Sequence, residues 1–127
     1  MGIKVRVIED DTDIRETMVY ALEDAKYEVV ASETAGILKH LDRHKPDLIL
    51  LDNWLSDWKS DANGQQLSRQ LKTNPATKHI PVIIVSAVSN VQQIAEDGLA
   101  DAFLRKPFDL KELIGLVEKY TAKQVKE

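Results

Sequence analysis

A doubly wound α/β fold, one parallel sheet with helices on both faces, is predicted by three observations. Short apolar runs alternate with helix-period segments five times along the 127 residues. The runs are unbroken stretches of Val, Ile and Leu, the pattern of strands buried on both faces rather than on one. Polar groups follow four of the five runs, so one edge of the predicted sheet collects Glu9-Asp10-Asp11, Asp52, Ser86 and Lys106. Right-handed crossovers bring all strand carboxyl ends to the same side, where doubly wound sheets bind their ligands.

The elements follow in order. The runs Ile3–Ile8, Tyr27–Ala31, Leu48–Leu51, Val82–Val85 and Ala102–Leu104 read as the five strands. Ile14, Met18, Ala21, Leu22 and Ala25 recur at helical spacing after the first strand, with Asp13 and Glu16 as a capping box. Ile37, Leu38 and Leu41 mark a second helix before Pro46. Leu67 and Leu71 mark a third from about Gly64 to Thr73, and Val91, Ile94 and Ala95 a short fourth closed by Gly98. The fifth starts at Asp109, with Glu112 three residues on, and carries Leu110, Leu113, Ile114, Val117 and Tyr120 on one face. Thr121–Glu127 reads as a polar tail. The stretch Asn53 to Asn63, eleven residues with both tryptophans, exceeds the usual loop of ~2–6 residues beside a candidate site.

Bulk properties bound the function. The length fits a single domain, residues 1–127, and 43% hydrophobic with 30% charged residues describes an ordinary globular chain. A net charge of −4 without a basic stripe argues against direct nucleic-acid contact. The absence of cysteine removes disulfide and thiol chemistry, and with no signal-peptide pattern or apolar stretch of ~20 residues it points to the cytoplasm, away from membranes.

Glu9, Asp10 and Asp52 would repel one another at one sheet edge unless a cation joined them. Mg²⁺ suits such a site, taking one or two carboxylates and leaving positions for water and phosphate oxygens. An aspartate nucleophile forms an acyl phosphate, and that transfer needs mainly positioning and charge neutralisation. Asp52 stands alone at a central strand end and is the candidate nucleophile. Lys106 would neutralise a phosphoryl group from the other side, and the Ser86 hydroxyl would donate to one of its oxygens. Taken singly, each residue has a plain structural reading: a helix-start acidic cluster, a turn aspartate, a surface lysine. Their coincidence at the strand ends is what carries the functional reading.

The chain resembles the receiver domains of two-component response regulators. The resemblance runs over nearly its whole length and rests on Val7-Ile8-Glu9-Asp10-Asp11, Pro46-Asp47-Leu48-Ile49-Leu50-Leu51-Asp52, Pro81-Val82-Ile83-Ile84-Val85-Ser86-Ala87 and Phe103-Leu104-Arg105-Lys106-Pro107-Phe108. It implies a flavodoxin-like strand order, 2-1-3-4-5. It implies Asp52 as phosphoacceptor, Glu9 and Asp10 as the acidic pair holding Mg²⁺, and the Trp54 main-chain carbonyl as a further ligand. Ser86 and Phe103 match the switch residues, Lys106 the phosphate-pairing lysine, and Lys106-Pro107 a cis peptide. The implied partners are a histidine kinase or histidine phosphotransfer protein upstream and a protein downstream, contacted through helix 4, strand 5 and helix 5. A monomer or a phosphorylation-dependent dimer would fit.

The sequence departs from the family pattern beside Asp52. Ser56 and Ser60 stand where receivers usually carry proline and glycine, and the matching glycine is Gly64, a four-residue insertion. Two other readings stand beside this one: a receiver-fold binding module that is never phosphorylated, and a receiver fragment of a longer transcription factor or hybrid kinase. An aspartyl-phosphate phosphatase would need a carboxylate where Trp54 stands. A flavin protein of the same topology would need a phosphate cradle where three acids stand.

Overall fold

The computed structural model describes residues 2–33, 45–53 and 64–125. Five strands form one parallel sheet: β1 (Lys4–Ile8), β2 (Glu28–Ser32), β3 (Leu48–Asp52), β4 (Val82–Ser86) and β5 (Ala102–Arg105). Their spatial order is β2-β1-β3-β4-β5, the order that the family resemblance implies. The helices are α1 (Thr12–Asp24), α2 (Gly64–Thr73), α3 (Val91–Asp97) and α4 (Leu110–Val125). The helix expected around Ile37–Leu41 lies outside the described residues, so helices 4 and 5 of the sequence reading are α3 and α4 here.

The strands buried on both faces are the central ones. Every residue of β3 and β4 is buried, whereas the edge strand β2 leaves Glu28, Val30 and Ala31 exposed. Side chains alternate along each strand, which divides the core in two. On one face Val5, Val7, Leu48, Leu50, Ile83, Val85 and Leu104 meet α1 and α4 through Met18, Leu22, Leu113 and Val117. On the other, Ile8, Ile49, Leu51 and Val82 meet Leu71 of α2 and Ile80. Burying such side chains stabilises the fold by roughly 1.5–3 kcal/mol each.

Two local expectations need correction, and a third holds for its own local reason. The α1 cap is Asp11, not Asp13: the Ile14 N–H donates to Asp11 Oδ1 at 3.0 Å. The apolar periodicity of α1 begins at Ile14, so periodicity alone left two capping carboxylates to choose between. The polar tail begins later than expected, because α4 runs on to Val125. Thr121 is buried in it, its hydroxyl donating to the Val117 carbonyl at 2.7 Å and so hiding its polarity. Gly98 does end α3, but without left-handed backbone (φ −87°); Leu99 takes that conformation instead (φ 61°). Gly98 is there for room: a Cβ on it would lie 2.8 Å from the Gln65 carbonyl oxygen.

The α4 start matches expectation, with Asp109 Oδ1 accepting from the Lys111 and Glu112 N–H groups while Glu112 Oε1 accepts from the Asp109 N–H. No helix among the described residues is long and apolar enough to cross a membrane.

Candidate functional site

The register of the sheet assembles the site. Ile8 pairs with Leu51, so Glu9 follows β1 at the level of Asp52, the last residue of β3. Asp52 pairs with Val85, and Ser86 pairs with Arg105, the residue before Lys106. Strand alternation does the rest. Glu9, Asp52 and Lys106 each lie two residues beyond a side chain of the α1/α4-facing core, namely Val7, Leu50 and Leu104. All three therefore project to the same side of the sheet, at the β1/β3 position where the winding reverses.

Carboxylate oxygens of Glu9, Asp10 and Asp52 come within 4.8 Å of one another. Glu9 and Asp52 are buried and Asp10 is half-buried. The Lys106 ammonium lies 2.9 Å from Glu9 Oε1 and 3.4 Å from Asp52 Oδ1. Its closer partner is thus Glu9, a pairing that the sequence does not display, since it depends on which strands are neighbours. Glu9 Oε1 accepts no well-directed hydrogen bond despite that short ion pair, so the oxygen keeps capacity for another ligand. Glu9 Oε2 accepts from the Asp11 N–H at 3.2 Å.

The electrostatics follow from this crowding. Burial, then the Glu9 charge, pushes the Asp52 carboxyl up to about 8, against the pull of Lys106. Burial by itself would lower Lys106, but Glu9 and Asp52 outweigh it and hold the ammonium above its usual range. One ammonium among three carboxylates leaves the cluster short of positive charge. The buried carboxylate oxygens, which one ammonium cannot neutralise, form an all-oxygen donor set that fits a hard divalent cation such as Mg²⁺.

The surrounding backbone shapes the site. Gly64 N–H donates to the Asn53 carbonyl at 2.9 Å, and Gln65 N–H to Asn53 Oδ1 at 3.0 Å. A Cβ on Gly64 would sit 2.5 Å from the Asp52 carbonyl oxygen, which explains a glycine at that position. Asn53, buried and bracing the start of α2, was missed by sequence reasoning; an asparagine after a strand end gives no periodic signal.

Ser86 is buried, and its hydroxyl accepts from the Val88 N–H at 3.3 Å. Phe103 is half-buried with the Arg105 guanidinium 6.0 Å from its ring centroid, and the Lys106–Pro107 peptide is cis. Trp54 lies outside the described residues, as does the rest of the Asn53–Asn63 stretch beyond Asn53 itself. His79 is exposed, away from the acidic cluster.

Known proteins resemble the chain over this same framework. Residues 5–118 match the family model described as the response regulator receiver domain. The phosphate regulon transcriptional regulatory protein PhoB of Pseudomonas aeruginosa is 37% identical over 118 residues, covering 90% of this chain and 49% of that protein. Protein PilG of the same organism is 30% identical over 121 residues, covering 92% of this chain and 86% of its own length. The CheY-like receiver domain protein of Methanospirillum hungatei superposes with a TM-score of 0.85 at 23% identity, covering 99% of this chain and 98% of that one, a likeness of fold. The chain spans about half the length of the PhoB proteins it matches. By the match across both its strands and its acidic edge, this chain belongs to the response regulator receiver domain family.

Proposed function

We propose that the chain is a phosphoacceptor switch in which Asp52 takes a phosphoryl group from a phosphohistidine on a histidine kinase or histidine phosphotransfer protein. The carrying observation is the Lys106 ammonium between Glu9 and Asp52, at 2.9 and 3.4 Å, within a cluster of three carboxylates. Family members are signalling switches rather than enzymes with a separate turnover substrate, and the chemistry here is modification of the domain's own aspartate.

An Asp52 carboxylate oxygen attacks phosphorus, the P–N bond to the donor imidazole breaks, and the bond electrons leave with that nitrogen. A divalent cation held by Glu9, Asp10 and Asp52, with the Trp54 carbonyl, would favour ionised Asp52 and offset charge on the phosphoryl oxygens. Lys106 moves from Glu9 to the new phosphoryl oxygens, which carry more charge than the carboxylate they replace. Ser86 trades the Val88 N–H for a phosphoryl oxygen, drawing the β4–α3 connection inward. Phe103 then shifts into the core, which selects a second arrangement of the α3/β5/α4 face.

That face is the output surface in this reading. A groove of about 350 Å³ lies there, lined by Ala95, Ala100, Phe103, Leu116 and Tyr120 among others. The downstream partner is a protein, and the unit works in the cytoplasm as a monomer or a phosphorylation-dependent dimer. The PhoB relatives are named as transcriptional regulators. A link to transcription would run through this surface, because the net charge of −4 disfavours nucleic-acid contact by the receiver itself.

Beryllofluoride, which mimics a phosphoryl group, tests the reading. It should bind only with Mg²⁺ present, move NMR signals of Ser86 and Phe103, and fail with Asp52→Asn. Binding that persists in Asp52→Asn, or leaves the α3/β5/α4 signals in place, contradicts the reading.

A further inference from the structure

We infer that Arg15 is a positioning residue for the cation site, clamping the turn that carries Glu9 and Asp10; the inference rests on the metal-dependent reading above. Arg15 is the fourth residue of α1, and its Nη1 donates to the Glu9 carbonyl at 2.9 Å. That carbonyl is the first beyond the end of β1. A cation in the first turn of a helix faces the positive end of the macrodipole, so Arg15 works against local helix stability. The contact with Glu9 offsets that cost and spans six positions in sequence, from strand end to helix.

The rest of the turn is pinned from other sides. Glu9 N–H donates to the Ser32 carbonyl at 3.0 Å, Asp11 N–H to Glu9 Oε2 at 3.2 Å, and Ile14 N–H to Asp11 Oδ1 at 3.0 Å. Asp10 sits between these fixed points. Without Arg15 the Glu9 peptide loses a charge-assisted anchor, and the direction from which Asp10 approaches Asp52 is less well defined.

Two effects of Arg15 oppose each other, and their signs differ. Its positive charge repels a divalent cation, so removing it for that reason alone would tighten binding. Its clamp preorganises the ligands, so removing it for that reason would weaken binding. Arg15 is half-buried, so the longer-range field of its charge is weakened by water and salt, whereas its hydrogen bond to the Glu9 carbonyl is a part-buried direct contact. The clamp therefore dominates. Partners that orient metal ligands typically change affinity by about 10–100-fold, and the low end of that range applies to one backbone contact.

The test is a Mg²⁺ titration of the full chain by calorimetry and tryptophan fluorescence, on wild type, Arg15→Ala and Arg15→Lys, with urea stability measured beside it. Arg15→Ala should weaken Mg²⁺ binding roughly 10-fold, and Arg15→Lys, which keeps the charge and one donor, should recover part of that loss. Tighter binding by Arg15→Ala would show that charge dominates and overturn the inference. So would unchanged Mg²⁺ affinity alongside reduced urea stability, the signature of a purely structural contact. A wild-type chain that takes up no Mg²⁺ would overturn the metal-dependent reading and this inference together, whereas the first two results leave that reading intact.

Discussion

Asp52→Asn should make the metal-free protein more stable, by an amount that grows with pH. The Asp52 carboxyl is pushed from 3.8 up to about 8, by burial first and then by Glu9. Between those values the folded state holds a proton that the unfolded chain has released. The unfolded state therefore binds fewer protons, and stability falls as pH rises through this window, levelling off above about 8. At about 1.4 kcal/mol per pH unit, the shift from 3.8 to about 8 gives a full penalty of roughly 6 kcal/mol as an upper bound. Lys106, held above its usual range, keeps its charge throughout the window and its 2.9 Å partner Glu9 in the variant. Asparagine carries no charge to desolvate, so most of the penalty vanishes. Urea unfolding followed by circular dichroism in EDTA should give a small difference at pH 5 and a gain of about 2–5 kcal/mol at pH 8.5. Adding Mg²⁺ at pH 8.5 should narrow the gap by stabilising the wild type alone. A pH-independent difference, or a variant less stable than wild type at pH 8.5, would refute the account of crowded carboxylates.

Asp11→Ala removes the α1 cap and should cost about 1 kcal/mol in urea unfolding, whereas Asp13→Ala should cost less, since Asp11 caps the helix. Gly64→Ala forces a Cβ to within 2.5 Å of the Asp52 carbonyl oxygen. It should destabilise by roughly 1–3 kcal/mol and shift the Asp52 and Asn53 NMR signals beyond what a surface substitution causes. Lys106→Ala should still permit phosphorylation of Asp52 but leave partner binding at its unmodified level, measured by calorimetry with and without beryllofluoride. Wild-type coupling in that variant would contradict the role given to the ammonium.

Much of this was legible in the sequence because strand burial and strand ends are local properties. Val82–Val85 could hardly be anything but a buried strand, and a carboxylate closing Leu48–Leu51 marks a sheet edge directly. Strand order was not legible from the residues, since any parallel arrangement would bury the same runs; only resemblance to receivers implied it. The Glu9–Lys106 pair was hidden for the same reason, being 97 positions apart in sequence and joined only through the β1-β3-β4-β5 register. Once that register is known, counting two residues on from Val7, Leu50 and Leu104 predicts which three side chains share a face. The end of α4 was obscured by Thr121, whose hydroxyl is satisfied within its own helix and so occupies a buried position that polarity argues against. Arg15 was invisible as a site residue because its role is to hold a carbonyl, and main-chain partners leave no trace in a residue pattern.

The most direct test of the central claim is the intact mass of the protein after incubation with acetyl phosphate and Mg²⁺. The account predicts one added phosphoryl group, absent in Asp52→Asn and absent when EDTA replaces the metal. A phosphoryl group that appears in Asp52→Asn, or forms equally well without a divalent cation, would contradict it.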